Sequence, residues 1–188
     1  KEQNVALGDL VLFSVLIKAL IDARQHAKAF ELLEDLKLEG LQVDDLLLTH
    51  LLDACRHEWN YKRGKKIYQD ALDSGLIPSD VTLVTLLKLF GCCDAADEAF
   101  QLVKSWEGLY NRRPSVIHYT CLIRGCFCSR KYDLAWESYQ LMLENGVQPD
   151  ETTISTIMSG MLQGLRYDKV KALASSSASD SPATQRLA

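Results

Sequence analysis

The chain has 188 residues, 47% hydrophobic and 24% charged, with a formal net charge of −4. That is the balance of a folded chain with a buried core; it excludes wholesale disorder, and no apolar run approaches the ~18–20 residues that cross a bilayer. The negative charge advertises neither a nucleic-acid nor a membrane partner.

In chain order, the first regular pattern is Phe13, Leu16, Ile17 and Leu20. Apolar residues at i, i+3, i+4 and i+7 predict one face of an amphipathic helix. Residues 1–9, ahead of it, read as the end of a preceding unit. The pattern returns at Leu48, Leu51, Leu52 and Cys55, then at Leu83, Leu86, Leu87 and Phe90. It returns again at Tyr119, Leu122, Ile123 and Cys126, and at Ile154, Ile157, Met158 and Met161. The offsets are 35, 35, 36 and 35 residues. A fixed period of that size marks a repeat architecture.

A second set begins 16 residues after the first member of each of the first four sets. It reads Ala29, Leu33, Leu36; Gly64, Tyr68, Ala71; Ala99, Val103, Trp106; and Ala135, Tyr139, Met142. Its first member is always small, as a close crossing of two helix backbones requires. Gly40, Gly75 and Gly146 stand where a left-handed C-cap ends the second helix, and Pro78 and Pro149 block its continuation. The third unit has one extra residue within Glu107–Arg113, expected in the turn, where it disturbs packing least.

Each unit is a helical hairpin that cannot bury its own apolar face. The predicted fold is therefore all-α, a right-handed α-solenoid of stacked 35-residue helix-turn-helix repeats. The repeats run 10–44, 45–79, 80–115 (divergent) and 116–150, with a partial repeat at 151–174. Residues 175–188 read as a flexible tail or cap.

Catalytic and metal signals are missing. The six cysteines (Cys55, Cys92, Cys93, Cys121, Cys126, Cys128) form no C-x-x-C pair, and none precedes a histidine at zinc-finger spacing. Reduced thiols in a reducing compartment fit them best. The run Arg63-Gly64-Lys65-Lys66 lacks the earlier glycine and following hydroxyl of a phosphate loop. His26, His50, His57 and His118 fall in different phases of the repeat. Neither an enzymatic activity, a metal nor a cofactor is expected.

The fourth unit opens Val116-Ile117-His118-Tyr119-Thr120-Cys121-Leu122-Ile123 and closes Gly146-Val147-Gln148-Pro149-Asp150. The first keeps Phe13, Leu16, Ile17, Ala29, Gly40 and Asp44, with Val43 where proline is usual; the second keeps Gly75 and Pro78 but ends in Ser79. Over residues 10–174 the chain resembles the pentatricopeptide repeat family. The tetratricopeptide alternative needs a period of about 34 residues and a Trp-x-x-Leu-Gly-x-x-Tyr opening, and neither is present. The resemblance implies a sequence-selective binder of single-stranded RNA in mitochondria or chloroplasts, serving RNA processing, stability or translation.

The resemblance also implies which residues do this. The fifth and last residues of each unit face a base edge: Ser14/Asp44, Thr49/Ser79, Val84/Ser115 and Thr120/Asp150. A short hydroxyl with Asp implies guanine at the first and fourth units; Thr49/Ser79 is ambiguous, and Val84 offers no polar group. The second residue packs on the base face, here Val11, Leu46, Val81 and Ile117, with Thr152 in the partial unit. The plain alternative is that these are ordinary helix-start positions.

Charge argues against strong binding. Phosphate contacts need Lys or Arg, and the thirteenth place, where a family lysine often serves, holds Asp22, His57, Cys92, Cys128 and Gln163. RNA binding is therefore expected to be weak to moderate. The runner-up function is a protein-interaction scaffold within a larger organellar assembly. The one basic concentration is Lys62, Arg63, Lys65 and Lys66, at the start of a second helix. It reads as a docking patch for RNA backbone or an acidic protein, against the plainer reading of a solvated helix face.

Overall fold

The structure is a computed structural model in which residues 2–179 are described, with side chains from 11 to 173. Among them every regular element is an α-helix: α1 (Glu2–Asp22), α2 (His26–Leu38), α3 (Asp45–His57), α4 (Tyr61–Asp73), α5 (Asp80–Cys92), α6 (Ala96–Tyr110), α7 (Val116–Cys128), α8 (Tyr132–Glu144), α9 (Glu151–Gln163) and α10 (Tyr167–Ser179). The chain divides into two compact units, Lys1–Ala95 and Ala96–Ala188. In the first, α1 packs on α2 and α3 on α4, and α3 lies between α1 and α5. In the second, α7 packs on α8, α9 on α10, and α7 on α9, with α6 against α7.

Four helices start on the residue that closes the previous repeat. Asp44 Oδ1 accepts the Leu47 N–H (2.7 Å) at the head of α3, and Ser79 Oγ accepts the Thr82 N–H (3.3 Å) at the head of α5. Ser115 opens α7 through a capping box with His118, and Asp150 Oδ1 accepts the Thr153 N–H (2.7 Å) at the head of α9. Such caps satisfy donors that have no partner within the helix. Asp45, Asp80 and Glu151 in the first turns complement the positive end of the helix dipole.

The helices end on left-handed residues. Gly40, Gly75 and Gly146 have φ of +73°, +87° and +72°, and the N–H of the following residue donates to a carbonyl five back, as Leu76 does to Ala71 (3.1 Å). These are the expected C-caps. The turn inside each hairpin uses the same device without glycine, at Arg24, Trp59, Asp94, Arg130 and Leu165 (φ 53–58°). Gln25, Asn60, Ala95, Lys131 and Arg166 then donate back to residues five earlier at 2.8–2.9 Å.

The core follows the apolar register in α3, α5 and α7, whereas in α1 only Ile17 of its set is buried and Leu16 is exposed. Leu48, Leu51, Leu52 and Cys55 are fully buried, as are Leu83, Leu86 and Leu87. The small first members of the second helices lie at close crossings. A Cβ on Gly64 would stand 2.4 Å from Leu89 Cδ2 and 3.4 Å from Cys55 Cβ, and Ala29 and Ala135 are fully buried.

The helix ends bear on three expected boundaries. Residues 2–9, expected to end a preceding unit, lie in α1, which runs without a break to Asp22. The extra residue of the third repeat is absorbed by helix rather than turn. Helix α6 has 15 residues against 13 in α4, its end held by Tyr110 packing on Trp106 (ring centroids 4.5 Å apart), with Asn111 (φ +52°) in place of the C-cap glycine. Finally, of the segment expected to be a flexible tail or cap, residues 175–179 continue helix α10; residues 180–188 lie outside the described residues.

Candidate nucleic-acid interface

Val11, Leu46, Val81 and Ile117 occupy one register position, the second residue of the unit, and are 58–62% exposed. Thr152 at the same place is also exposed. Exposed apolar residues scattered singly need no explanation. Here the exposure recurs at one repeat position, two residues after the N-caps of α3, α5 and α7 for Leu46, Val81 and Ile117, whereas Val11 lies midway along α1.

The fifth and last residues differ from that simple picture. Thr120 is only 9% exposed. Its Oγ1 can donate to the Val116 carbonyl (2.9 Å) or to Thr153 Oγ1 (2.7 Å), and Thr153 Oγ1 donates to Asp150 Oδ1 (2.7 Å). Thr120 and Asp150 are thus joined through Thr153, the third residue of the next repeat. The Thr49/Ser79 pair is joined in the same way: Thr82 Oγ1 lies 3.2 Å from Thr49 Oγ1 and 3.3 Å from Ser79 Oγ. There a carboxylate from elsewhere completes the group, because Asp45 Oδ1 accepts both the Thr82 hydroxyl and the Ser79 N–H (2.9 Å).

The first and third pairs lack this wiring. The third residue after Asp44 is Leu47, so Ser14 Oγ is buried with no hydrogen-bond partner, and Asp44 only caps α3. Ser115 is tied to His118, whose Nδ1 accepts the Ser115 N–H and lies 2.9 Å from its Oγ. Val84 and Ser115 fall in different units of the chain. The connecting residues Thr82, Thr153 and Asp45 were missed by sequence reasoning. The available signal was a hydroxyl at a position that is Leu12 and Leu47 in the first two repeats.

Asp44 and Asp150 are exposed. The Thr153 hydroxyl and N–H hold the Asp150 carboxyl below the usual carboxylate range, so it is ionised at neutral pH. Burial, followed by the nearby Lys18 charge, pushes the His50 imidazole down, so it is neutral there too. At the thirteenth place His57 leans on Asp53 (3.4 Å). The cations lie on α4 instead. Lys62, Arg63, Lys65 and Lys66 are all exposed; Arg63 pairs with Glu58 (3.2 Å) and covers the Phe30 ring at 4.4 Å.

Known families place this geometry. Models described as PPR repeat, Pentatricopeptide repeat domain and PPR repeat family match residues 11–41, 31–92 and 114–163. The chain belongs to the pentatricopeptide repeat family. Relatives include three pentatricopeptide repeat-containing proteins of Arabidopsis thaliana. One is 23% identical over 80% of this chain, a chloroplastic one 24% over 81%, and a mitochondrial one 27% over 88%. The chain spans only 24%, 32% and 29% of their respective lengths.

Among solved pentatricopeptide structures, the repeat domain of Arabidopsis thaliana protein-only RNase P 1, in complex with tRNA, superposes with a TM-score of 0.71. It is 19% identical, over 88% of this chain and 86% of that one. PPR10 from maize gives 0.73 at 21% identity over 89% of this chain and 24% of its own. PPR10 bound to an 18-nt psaJ RNA element gives 0.72 at 18% identity, over 88% and 24%. The fold is the pentatricopeptide α-solenoid of stacked helix-turn-helix repeats.

Proposed function

We propose that this repeat array binds single-stranded RNA through the second, fifth and last residues of its repeats. The observation that carries the reading is the recurrence of exposed apolar side chains at Val11, Leu46, Val81 and Ile117, together with exposed carboxylates at the closing positions Asp44 and Asp150. An apolar side chain supports the face of an unstacked base, and a carboxylate accepts hydrogen bonds from a base edge that donates them. The structures of similar repeat proteins with tRNA and with an 18-nt RNA element support the same class of ligand.

Asp150 is the reading group of the fourth repeat, and Thr120 acts through Thr153 to hold it. By family analogy the first and fourth repeats select guanine, Thr49/Ser79 is permissive, and Val84/Ser115 reads nothing. The chloroplastic and mitochondrial relatives support a role in organellar RNA processing, stability or translation. Affinity is modest, because the thirteenth place supplies no fixed cation for phosphate.

That deficit, with the net charge of −4, favours one second reading: a scaffold that binds organellar proteins and reads no bases. Titration with a fluorescent G-rich single strand over a salt series separates the two. Saturable binding that weakens with salt and exceeds that of a U-rich strand supports RNA reading. Absence of binding at low salt leaves the scaffold.

A further inference from the structure

We propose that the turn between α3 and α4, with the first turns of α4, forms a second contact for single-stranded RNA. A base stacks on Trp59, and phosphates meet Lys62, Lys65 and Lys66. This rests on the reading of the chain as an RNA binder and extends it to a surface outside the base-reading positions. Leu46 and Trp59 stand at opposite ends of α3, whose 13 residues span about 20 Å.

The indole is not there for the fold. Trp59 is 70% exposed, whereas Trp106 is fully buried and Trp136 is half-buried beneath the Lys169 ammonium (4.7 Å). The turn requires a left-handed residue, but Arg24, Asp94, Arg130 and Leu165 fill the equivalent positions with side chains of every kind. A bulky residue in that conformation is uncommon, and this one gains little burial in return. Asn60, the next residue, accepts the Arg63 N–H (3.1 Å) and so ties the turn to the start of α4.

The cations have the same character. Arg63 is occupied by Glu58 and Phe30, and Lys65 lies 5.6 Å from the centre of the Tyr61 ring. Lys62 and Lys66 are one helical turn apart, both exposed, and neither joins an ion pair among the described residues. Like charges at i, i+4 repel, and cations in a first helical turn oppose the dipole. A polyanion relieves both costs. An acidic peptide would match the lysines but has no use for an exposed indole face; single-stranded RNA uses both, through base–aromatic stacking and phosphate contact.

The test is tryptophan fluorescence during titration with a 20-nucleotide mixed-sequence RNA, alongside a poly-glutamate peptide. Stacking should quench the exposed Trp59, and Trp59→Phe should abolish most of that quench. Trp59→Ala should weaken RNA binding by about 5-fold or more. Lys62→Gln with Lys66→Gln should lower the slope of log affinity against log salt by about 1 to 1.5. RNA binding that is lost in Asp150→Ala but leaves Trp59 emission and the lysine variants unchanged overturns this inference and spares the base-reading positions. No binding by the unaltered chain at low salt overturns both. Poly-glutamate binding as tight as RNA, with the same lysine dependence, overturns it in favour of an acidic protein partner.

Discussion

The Thr49/Ser79 and Thr120/Asp150 groups occupy equivalent repeat positions, yet their carboxylates come from different places. Around Thr82 the acid is Asp45, half-buried on the first turn of α3, and it accepts from both Thr82 and Ser79. Around Thr153 the acid is Asp150 itself, the exposed cap of α9. The first arrangement turns its carboxylate towards the protein and leaves a serine at the closing position. The second presents the charge outward. One residue type at the end of a repeat therefore decides whether the same hydroxyl network serves packing or is available to a ligand.

That contrast can be broken by stability measurements. Thr82→Val should have the larger effect, about 2–3 kcal/mol in urea denaturation, because it strips a charge-assisted donor from a half-buried carboxylate. Thr153→Val should cost less, about 1 kcal/mol, since water can replace the lost donor at the exposed Asp150. Equal losses, or the reverse order, would show that the two networks are energetically alike.

The smallest effect should be on pH dependence. The folded-state pKa of Asp150 is depressed, so its capping contribution is fully present above the ordinary value of 3.8 and is lost as pH falls through the folded value. Asp150→Asn should remove that part of the acid dependence while keeping a cap. A thermal melt series from neutral to acid pH that is identical in both proteins would show that the Thr153 bonds do not matter to folding.

Much of the fold was legible because the repeat writes its packing in apolar period, small crossing residues and glycine. Ala135 and Gly146 stand in the sequence as they stand in space, one at a crossing and the other in a left-handed cap. The hairpin turns were not legible, since Arg24, Trp59 and Leu165 are ordinary letters forced into φ > 0 by the chain around them. The length of α6 was missed because helix was expected to stop where glycine usually stops it. At the site, the exposure of Ile117 followed from the family register. The Thr153 link did not, because a threonine in an apolar period reads as one more β-branched core residue. Its hydroxyl acquires meaning only when the next repeat is stacked on it.

The central claim is that the fourth repeat reads a base through Asp150, with Thr120 and Thr153 behind it. The most direct measurement is a panel of short RNAs differing only at the base that faces this repeat, bound at moderate salt by the unaltered chain, Asp150→Ala and Thr120→Asn. Guanine should be preferred by the unaltered chain. Asp150→Ala should erase the preference at a cost of about 1–3 kcal/mol at that base alone, and Thr120→Asn should move it towards uracil. Equal affinity for all four bases by the unaltered chain would contradict the account and leave the scaffold reading in its place.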